Sequence, residues 1–322
     1  MAKQEQYIYA VTRIRYREMQ LLRGADMEQL LACPDLDAAL RFLAERGWSD
    51  GDGTVEGLLA EQRRQLWSLL RELVKDMRAF DVFLCLNDFH NLKAAVKQAV
   101  FPDDGAHIYM DDCTVPVDLI KRVLANGDYT RLPDGMRDAA REALTVLRET
   151  GDGQMCDAIV DRAGLMELCR MGKESGYPLF DTYAQHMTAV ANIKTAVRAC
   201  RMGKPRAFLD KALAPCEYVS ADRLADAASR GMDEICACVK STRYSGAAEA
   251  LRESPSAFER YCDNQLIELI TPQKSNYFGL EPIAAYLLAR ENEIKTVRLI
   301  LYGKRSGIDD SVIRERLRDM YV

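Results

Sequence analysis

The carboxylates of Asp50-Gly51-Asp52-Gly53-Thr54, with Glu61 twelfth counting from Asp50, have roughly the spacing of a calcium loop. Such a loop needs glycine at its sixth position for a sharp turn. Val55 stands there, so the stretch reads as a polar loop that closes one helix and opens the next. Gly151-Asp152-Gly153 reads the same way. A phosphate cradle needs two glycines five residues apart, followed by Lys and then Ser or Thr, so that backbone N–H groups can wrap the phosphates. Gly303-Lys304-Arg305-Ser306 lacks the upstream glycine and carries Arg after the lysine. No GxGxxG, HExxH or GxSxG occurs.

Ten cysteines are scattered along the chain, with Cys236 and Cys238 the one close pair and no CxxC. The three histidines, His90, His107 and His186, are far apart. Structural zinc sites pair their ligands at short, fixed spacings. The cysteines therefore read as small core residues of a reducing compartment. With no convergent catalytic set, the expectation is a non-enzyme without cofactor that binds neither nucleotide nor metal.

A different chemistry, charge recognition, is offered by three pairs of basic residues. Lys93 with Lys97, Lys194 with Arg198, and Lys295 with Arg298 are three or four residues apart, so each pair shares one face if the segment is helical. The pairs belong to an internal repeat. Asn91-Leu92-Lys93-Ala94 returns as Asn192-Ile193-Lys194-Thr195 and as Glu293-Ile294-Lys295-Thr296, at equal intervals of 101 residues. Two copies run on into Met202-Gly203-Lys204 and Tyr302-Gly303-Lys304. A second echo, Ala25-Asp26-Met27, Val117-Asp118-Leu119 and Ala221-Asp222-Arg223-Leu224, opens three short stretches whose Asp suits the first turn of a helix. The period is far longer than that of ordinary solenoids, so each copy reads as a small helical domain, at 1–110, 111–210 and 211–322.

The elements that must position these residues are helices. Leu58 to Phe101 contains no Gly or Pro, and Leu66, Leu70, Leu73, Met77, Phe80 and Leu84 mark one helical face. One helix of that length would run roughly 65 Å; a break near Asn87 fits the pattern equally. Pro178 precedes a run ending at Gly203, and Pro282 a run ending at Gly303, the usual order of helix start and stop. Phe80, Phe83 and Phe89 fall at helical spacing and read as core. No alternating run demands a sheet, and the expected class is all-α.

The 322 residues carry a net charge of −5, which argues against a general nucleic-acid binder. The longest charge-free run, Thr182 to Ile193, falls well short of the ~20 apolar residues that span a bilayer. Met1 to Tyr9 carries Lys3 and Glu5 and no apolar signal region. A cytoplasmic protein that meets a membrane only through another protein is expected.

The repeat residues also carry a resemblance. Phe278-Gly279-Leu280-Glu281-Pro282-Ile283 and Tyr286-Leu287-Leu288-Ala289-Arg290-Glu291-Asn292-Glu293-Ile294-Lys295, with Asp88-Phe89-His90-Asn91-Leu92-Lys93, Asn192-Ile193-Lys194-Thr195-Ala196-Val197-Arg198, Tyr9-Ala10-Val11-Thr12-Arg13-Ile14-Arg15 and Leu21-Leu22, run the length of the chain in order. Together they resemble the C subunit of the bacterial and archaeal V/A-type ATPases, whose counterpart in the eukaryotic proton pump is the d subunit. Thr296 departs from the Asn of many members. The resemblance implies three similar helical domains in a pseudo-threefold, funnel-like arrangement. It implies a non-catalytic central-stalk rotor, peripheral on the cytoplasmic face of the membrane. Its narrow end would sit on the membrane c/K ring and its open end would receive the D/F central shaft, for proton or sodium transport. On that arrangement Lys93, Lys97, Lys194, Arg198, Lys295 and Arg298 would line the central opening as a positive socket for a polar or acidic shaft tip. The competing expectation for these six is a solvated outer face, or local pairing with acids such as Asp88 and Glu291. Competing readings of the whole chain are a helical-repeat scaffold or adaptor unrelated to rotary ATPases, and a helical enzyme whose site assembles from distant residues.

Overall fold

The computed structural model describes residues 7–48, 52–101 and 108–322. Asp50, Gly51 and His107, and the terminal residues Met1 to Gln6, lie outside them. Among the described residues there is no strand, and the chain is all-α. In chain order the helices are α1 (Ile8–Glu18), α2 (Gly24–Leu31), α3 (Leu36–Glu45), α4 (Val55–Leu73), α5 (Asp81–Val100), α6 (Val117–Asn126), α7 (Asp134–Thr150) and α8 (Gly153–Glu174). They continue as α9 (Pro178–Arg201), α10 (Arg206–Ala212), α11 (Ala221–Arg230), α12 (Met232–Lys240), α13 (Ala247–Glu253), α14 (Pro255–Ile270), α15 (Glu281–Arg305) and α16 (Asp310–Arg314).

The chain forms two compact units. One holds the two ends, residues up to 77 and from 249; the other holds 78–248. The terminal unit is built on α15, which packs against α1, α2, α3, α4, α14 and α16. Ile294, Val297, Ile300 and Leu301 of α15 meet Leu30, Leu31, Leu43 and Leu58 in one core. In the middle unit α8 packs against α5, α7, α9 and α10. Small residues let it come close. A Cβ on Gly172 would stand 2.8 Å from Ala184 Cβ and 2.9 Å from the Phe180 carbonyl, and one on Gly164 would stand 2.9 Å from the Phe89 ring. Phe80 and Phe89 are buried, and Phe83 stacks among Phe80, Phe180 and Tyr183, so this stripe is core.

Helix ends follow local chemistry in most places. Pro178 opens α9, and Gly203 follows it in the left-handed region at φ 63°. Asp26, Asp118 and Asp222 each stand in the first turn of α2, α6 and α11, where a carboxylate meets the positive end of the helix dipole. The described part of the would-be calcium loop is a cap: Asp52 accepts from the Thr54 N–H and hydroxyl, and Thr54 accepts from the Gly57 N–H at the start of α4.

Two expected boundaries differ. The Gly- and Pro-free stretch breaks after Leu73, where Val74 turns to extended backbone and a 3-10 turn, Met77–Phe80, leads into α5. It does not break near Asn87. Val74 and Phe80 are both buried, so packing turns the chain where no breaker residue stands. Gly303 does not stop α15. It lies inside the helix, and Ile313 fills the space where a side chain would be. The stop comes at Gly307, at φ 64°.

Candidate functional site

The three repeated segments lie on the long helices α5, α9 and α15. Their first residue is buried each time and binds backbone. Asn91 donates through Nδ2 to the Met110 carbonyl at 3.0 Å and accepts from the Met110 N–H at 2.8 Å. Asn192 does the same with Ala214, at 2.7 and 3.0 Å. Glu293 accepts from the Leu22 N–H at 2.5 Å, and its neighbour Asn292 donates to the Asp319 carbonyl at 3.0 Å. Met110, Ala214 and Leu22 each belong to the segment that leads into α6, α11 or α2. The first sequence echo is therefore one side of a recurrent clamp, and the second begins the helix that follows its other side. A buried side-chain amide or carboxylate supplies the hydrogen bonds that a turning backbone cannot find for itself.

Further buried groups reinforce the clamps. Asp88 accepts from the N–H groups of Thr114 and Val115 at 2.7 and 3.0 Å and from the Thr114 hydroxyl. Burial nonetheless pushes its carboxyl above the ordinary value. Burial raises Glu293 too, with Arg290 pulling it back.

The lysine two residues past each clamp points elsewhere. Lys93 donates to Asp161 at 2.6 Å and Lys97 reaches Asp157 at 2.7 Å, both acids lying on α8. Lys295 stands 3.6 Å from Asp263 on α14. The Arg298 guanidinium lies 5.3 Å over the Tyr302 ring. Lys194 is half-buried and Arg198 is exposed. Of the acids named from sequence, Asp88 binds backbone and Glu291 faces Arg63 at 3.4 Å.

In the middle unit, a groove of about 480 Å³ runs between α5, α8, α9 and α10. Lys93, Asp157, Asp161, Arg198, Lys204 and Phe208 line it. It brings together Lys93 from the first repeat and Arg198 from the second, with Lys97 behind Asp157. Lys194 is not among its lining residues, and Lys295 and Arg298 belong to the terminal unit. Asp157 and Asp161 were missed from sequence. Their spacing of four on one helix is a signal that pairs of Lys four apart find a matching face. The groove sets these charges beside apolar residues such as Leu86, Phe89 and Leu165.

Among the described residues, no group of three or more His, Cys, Asp or Glu is placed to hold a metal ion. All ten cysteines are free thiols, buried or half-buried. No described helix is long and apolar enough to cross a membrane.

Comparison with known proteins gives a family that accounts for almost the whole chain. The sequence model of the ATP synthase (C/AC39) subunit family matches residues 10–316. The chain is similar to the C subunit of the V-type sodium ATPase of Enterococcus hirae, with 25% identity over 317 residues that cover 96% of this chain and 97% of that protein. It is similar to the C subunit of the V-type ATP synthase of Thermus thermophilus, with 24% identity over 331 residues covering 97% and 98%. It is also similar to the C subunit of the A-type ATP synthase of Halobacterium salinarum, with 25% identity over 345 residues covering 97% of each.

Proposed function

The chain belongs to the ATP synthase (C/AC39) subunit family, and from that premise we propose that it is the non-catalytic central-stalk rotor subunit of a V/A-type rotary ATPase. In this role it joins the D/F shaft to the membrane c/K ring and passes torque between ATP turnover and proton or sodium movement. It sits on the cytoplasmic face and touches the membrane only through the ring. The observation that carries the reading is the family match from residue 10 to residue 316. Family membership also removes the ground for a scaffold unrelated to rotary ATPases.

The physical properties of the chain support a torque-bearing part. Its long helices are locked by close packing and by buried clamps, and packed interiors transmit strain with little compression. The three clamps support a threefold repeat, to which the division at 1–110, 111–210 and 211–322 belongs as part of this proposal.

The basic residues Lys93, Lys97, Lys194, Arg198, Lys295 and Arg298 are proposed as the contact for an acidic or polar shaft segment. Lys93, Lys97 and Lys295 already face Asp161, Asp157 and Asp263. Lys295 is exposed and Lys93 and Lys97 are half-buried; surface pairs are worth only about 0–1 kcal/mol, so carboxylates of a partner can replace such internal ones at modest cost. Affinity purification of the tagged chain from detergent-solubilised membranes tests the assembly. Shaft and ring proteins recovered with it support the reading; recovery of the chain without either refutes it.

A further inference from the structure

In the middle unit α8 runs antiparallel to both α5 and α9. Against α5, Asp161 meets Lys93, Asp157 meets Lys97, and Gly164 lies against the Phe89 ring. Against α9, the Cys169 Sγ lies 3.2 Å from the Thr188 hydroxyl, and Gly172 lies against Ala184. These registers order the lining of the 480 Å³ groove along its length. Leu86, Leu165 and Ala191 come level, within about one helical turn, at one end. Lys93, Asp161 and Arg198 come level at the other, with Lys204 beyond them.

The two ends differ in depth as well as polarity. Leu165 is buried and Leu86 and Ala191 are half-buried, whereas Asp161, Arg198 and Met202 at the charged end are exposed. Ala191, Thr195 and Ala199 are small and stand four residues apart on the α9 face that lines the groove, so that helix leaves the slot unfilled. The charges at the open end do not cancel. Asp161 and Asp157 are answered by Lys93 at 2.6 Å and Lys97 at 2.7 Å. Arg198 and Lys204 form no ion pair among the described residues; the Lys204 ammonium lies 5.3 Å over the Phe208 ring. The excess at the mouth is positive.

We infer that this groove binds a single-chain amphiphile with a carboxylate or phosphate head. The apolar chain fills the deep end between Leu86, Leu165 and Ala191, and the head meets Arg198 and Lys204 at the mouth. From Ala191 to Arg198 is about 10 Å along α9, which suits a chain of medium length. An enclosed apolar slot with a few convergent polar groups at one place is the usual form of a small-ligand site. Lys93, Lys97 and Arg198 also belong to the proposed shaft contact, so a bound amphiphile competes with it. The inference needs no other subunit, and its failure leaves the rotor reading standing.

The test uses the full chain, with decanoate and decyl phosphate as probes, each kept below its micelle threshold. Hexanoate and acetate shorten the tail, and decyltrimethylammonium reverses the head charge. Titration calorimetry and the thermal unfolding midpoint are the readouts. At least one ten-carbon anion should bind saturably with a Kd below about 1 mM and raise the midpoint, since it binds the folded chain. The tighter of the two names the head. Each buried CH₂ tightens binding by roughly fourfold, so hexanoate should bind at least about tenfold more weakly than decanoate. Acetate and decyltrimethylammonium should not bind. Ala191→Met, which fills the deep end from a half-buried position, and the double variant Arg198→Gln with Lys204→Gln should each weaken binding about tenfold or more. Circular dichroism checks that both variants fold. Absence of saturable binding by both ten-carbon anions, equal binding of decyltrimethylammonium, or unchanged affinity in either folded variant overturns the proposal.

Discussion

Glu293, near the end of the chain, accepts the backbone N–H of Leu22, near its beginning, at 2.5 Å. At the two earlier repeat positions Asn91 and Asn192 hold Met110 and Ala214, which lie 19 and 22 residues further on. In the third copy the two roles divide: Asn292 reaches forward to the Asp319 carbonyl and Glu293 reaches back to Leu22. This relationship explains why α1 to α4 and α15 share one unit, although more than 200 residues of sequence lie between them.

The amide clamps should be costly to lose. In Asn91→Ala or Asn192→Ala, a backbone N–H and carbonyl lose their buried partner, at about 1–3 kcal/mol. Urea unfolding of each variant measures this. A loss below about 0.5 kcal/mol, the level of an ordinary surface change, would show that water replaces the clamp.

Glu293 should make stability depend on pH. Burial holds its folded pKa above the unfolded value, so in the window between the two the native state binds more protons than the unfolded state. Stability then falls as pH rises through that window and is relieved as pH drops. Glu293→Gln keeps an acceptor for the Leu22 N–H and cannot titrate. Its unfolding free energy, followed upward in pH from the ordinary carboxylate range, should lose that component of the slope. A slope identical to that of the parent would contradict the assignment.

Two helical glycines should respond differently to alanine. At Gly172 the new Cβ meets the Ala184 Cβ and the Phe180 carbonyl, neither of which can rotate away. Overpacking of this kind costs about 1–3 kcal/mol. At Gly303 it meets Cδ1 and Cγ1 of the Ile313 side chain, which can turn aside where backbone cannot, and the gain in helix propensity of about 1 kcal/mol offsets part of the adjustment. Thermal unfolding should therefore rank Gly172→Ala well below Gly303→Ala. Equal midpoints would contradict the close approach of α8 and α9.

Much of this was legible in the sequence, and the reasons differ by feature. The all-helical class follows from apolar spacing, and the start of α9 from Pro178. The repeat was visible because the same clamp must be built three times. That Asn91, Asn192 and Glu293 are buried on backbone was not legible, because a polar side chain carries no sign in the sequence of the distant backbone it binds. The break after Leu73 and the helical Gly303 go with packing by Phe80 and Ile313, which no local pattern announces. The pairing of Lys93 with Asp161, 68 residues away, needed the tertiary structure. The closure of Glu293 on Leu22 needed it as well.

The proposed basic contact should show in salt dependence. Screening shortens from ~10 Å at 0.1 M to ~3 Å at 1 M salt. Binding of the D/F shaft should weaken across that range for the parent chain. In the combined Lys93→Ala, Lys194→Ala and Lys295→Ala variant it should be weaker from the outset, with a flatter salt response. Unchanged affinity and unchanged slope would remove these residues from the contact and leave the family assignment intact.

The rotor role itself is tested most directly by ATP-driven ion uptake into inverted membrane vesicles, with the encoding gene present or deleted and ATP hydrolysis followed in the same sample. A rotor that couples shaft to ring predicts that deletion abolishes uptake while hydrolysis by the detached catalytic head continues, and that supplying the chain restores uptake. Uptake that persists at the parental ratio of ions to ATP in its absence would contradict the account.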